Sequence, residues 1–110
     1  MGLFGNEKSL VDWWLKGFSL YNSEKYQKAI ECFNEAIRLD PAYLDAWRYK
    51  GYALADLERY EEAIVCYDKA IRLDPEDEMA WSNKGDSLAK LERHEEAIEC
   101  FAKAKELDES

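Results

Sequence analysis

WRYKGYALADLERYEEAIVCYDKAIRLDP, running from Trp47 to Pro75, is the stretch on which the reading of this chain turns. Its marker residues are Trp47, Gly51, Leu54, Tyr60, Ala63, Tyr67, Ala70 and Pro75. A step of 34 residues toward the N-terminus finds Trp13, Gly17, Leu20, Tyr26, Ala29, Phe33, Ala36 and Pro41. The same step forward finds Trp81, Gly85, Leu88, His94, Ala97, Phe101 and Ala104, with Glu109 where Pro would fall. The register holds without an insertion from about Leu10 to the end. A fixed period of this length marks a stacked array. One unit cannot bury its apolar face alone, and about three stacked units give a continuous core.

Inside each copy the apolar spacing is helical. Ala29, Ile30, Phe33, Ala36 and Ile37 follow the i, i+3/i+4, i+7 pattern of one helix face. Ser9 before an apolar run, with Asp12 three residues on, resembles a capping box and opens the first helix. The spacing predicts helices over 10–22 and 24–39, over 42–57 and 60–73, and over 76–91 and 94–107. Asp40-Pro41 and Asp74-Pro75 are read as junctions, with Asp as the N-cap and Pro at the first position of the following helix. Short loops within each pair force antiparallel packing. No strand is expected, and the fold class is all-α. Residues 1–9 form an N-terminal extension, frayed over 1–8, and three units follow over 10–43, 44–77 and 78–110. Leu3 and Phe4 are placed where they can dock on the first helix.

The repeated residues belong to packing. Gly17, Gly51 and Gly85 sit inside helices, where Gly costs about 1 kcal/mol against Ala, a cost accepted where a neighbouring side chain must approach the backbone. Ala29, Ala63, Ala97 and Ala36, Ala70, Ala104 allow close approach on the second helices, against the Trp and Phe/Tyr markers. His94 stands in the place of Tyr26 and Tyr60, so packing accounts for it. Cys32, Cys66 and Cys100 share one position per unit. Packed helices lie about 8–10 Å apart, and a disulfide needs Cα atoms within about 7 Å, so these thiols stay unbridged and act as small apolar filler.

Composition narrows the function classes. The 110-residue chain carries a net charge of -9, which repels phosphate backbones and anionic lipid and argues against nucleic-acid or membrane binding. No apolar run approaches the roughly 18 residues of a membrane span. A secretory leader is not read, and Met1-Gly2 lacks the Ser or Thr of a myristoylation signal because Asn6 holds that place. A soluble, cytoplasmic protein is expected. No Gly-rich phosphate loop follows a strand and no His/Glu metal pair sits at helical spacing, so no enzyme activity and no cofactor are expected. Pairs such as Glu58-Arg59 and Glu92-Arg93 read as solvated faces.

The Trp, Gly, Tyr, Ala, Phe/Tyr, Ala and Pro markers at their 34-residue spacing resemble the tetratricopeptide repeat. The resemblance implies an α-solenoid in which three antiparallel helix–turn–helix units, six helices in all, curl into a right-handed superhelix. It further implies that the first helix of each unit lines a concave groove where an extended peptide lies. The groove positions carry Trp14, Leu15, Phe18 and Tyr21 in the first unit, Arg48, Tyr49 and Tyr52 in the second, and Asn83 and Asp86 in the third. That surface grades from apolar to polar, and aromatics clustered on one concave face mark a binding site. The expected function is a protein-interaction scaffold that takes a partly apolar peptide or protein segment. Truncating groove aromatics is expected to leave stability nearly intact. Members that grip chaperone C-termini use a Lys/Asn/Arg clamp. Here those places hold Trp14, Phe18, Tyr49, Met79 and Asn83, which disfavours that mode, although Arg48 and Lys90 remain as single cations for acidic groups. Terminal repeats need a polar outer face, whereas Ile98, Phe101 and Leu107 are apolar. The alternative reading is therefore a self-associating element, or part of a longer array, that uses these terminal faces.

Overall fold

Among the described residues the periodic apolar faces fold into helices and nothing else. The structure, a computed structural model, describes residues 8–110, so the expectation for Leu3 and Phe4 lies outside the described residues. Among the described residues there are six helices: α1 (Leu10–Asn22), α2 (Tyr26–Leu39), α3 (Leu44–Asp56), α4 (Tyr60–Leu73), α5 (Glu78–Lys90) and α6 (His94–Glu109). Each packs on the next in chain order, as α1 on α2, α2 on α3 and onward. The product is an all-α solenoid with extents of 55 × 28 × 19 Å. Its radius of gyration is 15.1 Å, against about 13 Å for a compact domain of this length.

The helix ends show how side chains set the boundaries. Ser9 Oγ accepts the Asp12 N–H at 3.2 Å while the Asp12 carboxylate accepts the Ser9 N–H at 3.0 Å, which completes the capping box. The loops inside the pairs end α1, α3 and α5 with a left-handed residue, and that residue is Glu24, Glu58 and Glu92, at φ 61°, 62° and 63°. In the first of these the Glu24 N–H bonds Tyr21 O and the Lys25 N–H bonds Leu20 O, both at 2.9 Å, so the orphan carbonyls of α1 are satisfied. Helix α2 therefore begins at Tyr26 and not at residue 24.

The Asp-Pro junctions differ from the expectation. Asp40 is not the N-cap of α3. Its carboxylate accepts the Ala42 N–H at 3.0 Å and its carbonyl accepts the Tyr43 N–H at 3.0 Å, a turn with Pro41 at its second position. The helix starts later, at Leu44. Asp74 builds the same turn through Glu76 and Asp77, and α5 starts at Glu78. The marker tryptophans lock these turns. Trp47 Nε1 donates to Pro41 O at 2.8 Å and Trp81 Nε1 to Pro75 O at 2.9 Å. The Pro and Trp of successive copies thus form one device.

The core runs along the solenoid axis. Ala29, Ala36, Ala63 and Ala70 are wholly buried, as are the rings of Phe33 and Tyr67. Each of these rings lies over a helical glycine. A Cβ on Gly17 would stand 2.6 Å from Phe33, and one on Gly51 2.5 Å from Tyr67. Cys32, Cys66 and Cys100 are free and buried. Burial pushes the Cys66 thiol up to about 11. His94 departs from its expected packing. Tyr26 is half-buried against Tyr21, 5.5 Å between ring centres, but His94 is exposed because no described helix lies beyond α6 to cover it.

Candidate functional site

Helices α1, α3 and α5 stand side by side, and the side chains that the sequence singles out lie along them. Trp14 and Phe18 on α1 meet Tyr49 on α3 at 5.0 and 5.5 Å between ring centres. Tyr21 meets Tyr49 at 5.6 Å, and Tyr49 meets Tyr52 at 4.9 Å. The five rings form one continuous cluster across the first two pairs, mostly in edge-to-face or tilted arrangements that suit aromatic quadrupoles. Tyr49 also reaches Phe33 on α2 at 6.2 Å, and Tyr52 reaches Tyr67 on α4 at 6.1 Å. The cluster is therefore half-buried packing that ties pair to pair, not a row of bare rings. Because each ring is a partner of the others, truncating one is predicted to lower stability, where the sequence alone led to an expectation of little change. Leu15 is 56% exposed.

The open space lies farther along, between α3 and α5. A cavity of about 290 Å³ is lined by Tyr21, Tyr52, Ala55, Asp56, Tyr67, Met79 and Asn83. A second, of about 360 Å³, shares Ala55, Asp56, Tyr67 and Asn83 and continues past Tyr60 to Asp86, Ser87 and Lys90. Together they make a groove with an aromatic wall, a methionine lip and an acidic far edge. Tyr21 Oη donates to Asp56 Oδ2 at 3.0 Å. Burial and that bond raise the Tyr21 phenol well above its ordinary value, and burial raises Tyr52 likewise. Partial desolvation raises the Asp86 carboxyl above its ordinary value, opposed by nearby Lys90. Asn83 turns its amide to Met79 O at 2.7 Å and leaves its oxygen available.

Arg48 is committed elsewhere. Its guanidinium pairs with Asp45 at 2.6 Å and with Asp77 at 3.4 Å, so it is not a free cation for an acidic ligand. Asp77 is 8% exposed, and Asp77 Oδ2 and Arg48 Nε find no hydrogen-bond partner among the described residues. The same two positions one repeat earlier hold Trp14 and Tyr43, whose rings meet edge-on at 5.9 Å. One seam is closed by an ion pair and the other by an aromatic pair.

Of the nine residues singled out, Tyr21, Tyr52 and Asn83 line the first cavity and Asp86 the second, whereas Trp14, Phe18 and Tyr49 form the packed wall beside it. Asp56 and Met79, at groove positions of the second and third units, line the first cavity as well, and so does Tyr67. Tyr67 was assigned to packing alone. Its one distinguishing signal is the hydroxyl that Phe33 and Phe101 lack. Among the described residues no cluster of three or more His, Cys, Asp or Glu side chains is arranged to hold a metal ion, and no helix is long and apolar enough to cross a membrane.

Comparison with known proteins bears on this geometry. The chain is similar to MamA, with a TM-score of 0.89 at 27% identity over 92% of this chain and 59% of that one, so it spans less than two thirds of MamA. It is similar to the second TPR of Spaghetti (RPAP3), solved bound to the HSP90 peptide SRMEEVD, with a TM-score of 0.87 at 25% identity over 97% of this chain and 99% of that one. The first TPR of the same protein shares the fold, with a TM-score of 0.88 at 23% identity. Comparison with curated protein sequences gives no match. A family model described as Tetratricopeptide repeat matches residues 15–77 and again residues 57–110, nearly all of the six helices. The chain belongs to the tetratricopeptide repeat family.

Proposed function

We propose that this protein is a binding module, without catalysis of its own, that takes a partly apolar peptide or protein segment along the faces of α1, α3 and α5. The observation that carries this reading is the pair of joined cavities at Tyr21, Tyr52, Tyr67, Met79 and Asn83. Concave space walled by aromatic side chains with a few placed polar groups is where a ligand buries most. The peptide held by the similar TPR of Spaghetti (RPAP3) supports the same use of the fold. The repeats act as units over 10–43, 44–77 and 78–110.

The charge of the groove selects the ligand class. Asp56 and Asp86 edge the cavities, while Arg48 is neutralised by Asp45 and Asp77. A segment with one apolar anchor and a nearby Lys or Arg fits this edge, and an acidic tail does not. The net charge of -9 works against nucleic acid and anionic membrane in the same way. The buried free thiols suit a reducing, cytoplasmic setting.

The test uses Met79→Arg, which fills the cavity from a side chain 49% exposed and so spares the core. Peptide-library capture by the native chain should enrich apolar–basic segments. Met79→Arg should lose them with an unchanged melting temperature, and Asp86→Lys should shift the selection away from basic residues. Equal capture by the native chain and Met79→Arg would refute the groove assignment.

A further inference from the structure

The seam between successive repeats is built twice inside this chain, and among the described residues both of its halves recur uncovered, one on α6 and the other on α1 and α2. In the first seam Ile30 of α2 is 4% exposed and lies in one cluster with Leu54, Cys66 and Trp47 of the next repeat. In the second, Ile64 of α4 is 8% exposed and lies with Leu88, Cys100 and Trp81. The same position on α6 is Ile98, which is 65% exposed. The matching receptor residues on α1 and α2 are Trp13, Leu20 and Cys32, and they line an open cavity of about 650 Å³. One end of the molecule carries the knob and the other carries the hole.

The neighbouring contacts match as well. Tyr49 covers Phe33 at 6.2 Å in the first seam. One repeat earlier and two repeats later, those positions are Leu15, 56% exposed, and Phe101, 38% exposed. Arg59 donates to Gln27 across the first seam at 3.1 Å. The corresponding residues at the free ends are Lys25 and Glu95, which carry opposite charges. The Lys84–Asp68 bridge of the second seam has no such counterpart, because Ala102 stands in the place of Asp68 opposite Lys16.

We propose that a second copy of this chain docks end to end, with Ile98 and Phe101 of one molecule entering the Trp13, Leu20, Cys32 and Leu15 face of the next, and with Glu95 meeting Lys25. The contact continues an interface that the chain already forms with itself. It is heterologous, so it leaves a free knob and a free hole at the ends and extends as an open row instead of closing as a dimer. The missing counterpart of Lys84–Asp68 and the rigid-body entropy of association make it weaker than the internal seams and dependent on concentration.

Sedimentation velocity of the full chain from micromolar to millimolar concentration tests this. The average mass should climb without a plateau at the dimer. Ile98→Glu should weaken association on the order of a hundredfold, since it places an unpaired charge in the hole. Leu20→Glu, checked for helicity by circular dichroism, should do the same from the other side, and an equimolar mixture of these two variants should give a one-to-one dimer that grows no further. Lys25→Glu, an exposed change that spares the fold, should weaken association, and adding Glu95→Lys to the same chain should restore it. A monomer at all concentrations, a closed dimer indifferent to Ile98→Glu, or a mixture that stays monomeric would overturn the proposal. Peptide capture in the groove reads out separately and is unaffected by either result.

Discussion

The helical glycines show how one missing methyl group sets the spacing between neighbouring helices. Gly17, Gly51 and Gly85 hold the same place in each copy, and a Cβ there would meet the ring of Phe33, Tyr67 or Phe101 at 2.6, 2.5 and 2.6 Å. The rings are not equally free to yield. Tyr67 is 1% exposed and enclosed by repeats on both sides, whereas Phe101 is 38% exposed. Overpacking a fixed ring costs about 1–3 kcal/mol, and Ala returns about 1 kcal/mol of helix propensity over Gly. Gly51→Ala should therefore lower stability by up to about 2 kcal/mol, and Gly85→Ala should be close to neutral. Urea unfolding of the two variants checks this, and equal losses would show that the Phe101 ring is as confined as Tyr67. The packing role of these glycines was legible in the sequence, because Gly at a fixed step inside a helical pattern has few other reasons. Which ring would yield was not legible, since it depends on what covers the ring from the next repeat.

At the scale of the element, the helix ends depart most from the sequence pattern. Propensity runs the apolar period into the loops, so the expected helices 42–57 and 76–91 overrun their true starts at Leu44 and Glu78. The Asp-Pro pairs carry the same ambiguity, since Asp before Pro suits both a helix cap and a turn. The indole bonds of Trp47 to Pro41 O and of Trp81 to Pro75 O accompany the turn, and they join residues six apart. The loops inside the pairs hold Glu24, Glu58 and Glu92 in the left-handed region, where glycine is the usual occupant. A side chain there costs about 1 kcal/mol or more. Glu58→Gly should accordingly stabilise the protein by about 0.5–1 kcal/mol, after the extra freedom of the unfolded chain is deducted. Thermal and urea unfolding should both move upward. A fall would mean that Glu58 makes a compensating interaction in solution.

Across the whole molecule, the middle repeat is enclosed on both sides and the outer two are not. Cys66 and Tyr67 lie at that enclosed centre, both buried. Burial lifts the Cys66 thiol from its ordinary value of 9.0 to about 11 and also raises the phenols of Tyr21, Tyr26, Tyr52 and Tyr67. These groups must stay protonated in the fold. The unfolded chain ionises them at lower pH, so proton release favours unfolding as pH rises. The contribution of Cys66 is fully present below pH 9 and is lost as pH rises toward about 11. Urea midpoints measured across that range should fall, and fall less steeply for Cys66→Ala. A midpoint that does not move with pH would show these groups to be solvated.

The 34-residue period by itself determined a stacked helical array, its number of helices, their pairing and the residues that pack, because a repeat writes the same steric requirement three times and chance does not, while the family came from the resemblance of the marker residues. The resemblance to that family, and not the period, is what assigned a groove to the first helix of each unit. Only the tertiary structure decided which of those side chains remain open. Trp14, Phe18 and Tyr49 meet one another across the first seam and are half-buried there, and Arg48 pairs with Asp45 and Asp77. The cavity therefore falls one repeat farther along, at Tyr52, Met79 and Asn83. The physical reason is that exposure belongs to pairs of surfaces. A residue's face follows from its own helix, but its cover is supplied by a neighbouring repeat whose side chains, large at Tyr49 and small or polar at Asn83, either fill the space or leave it open.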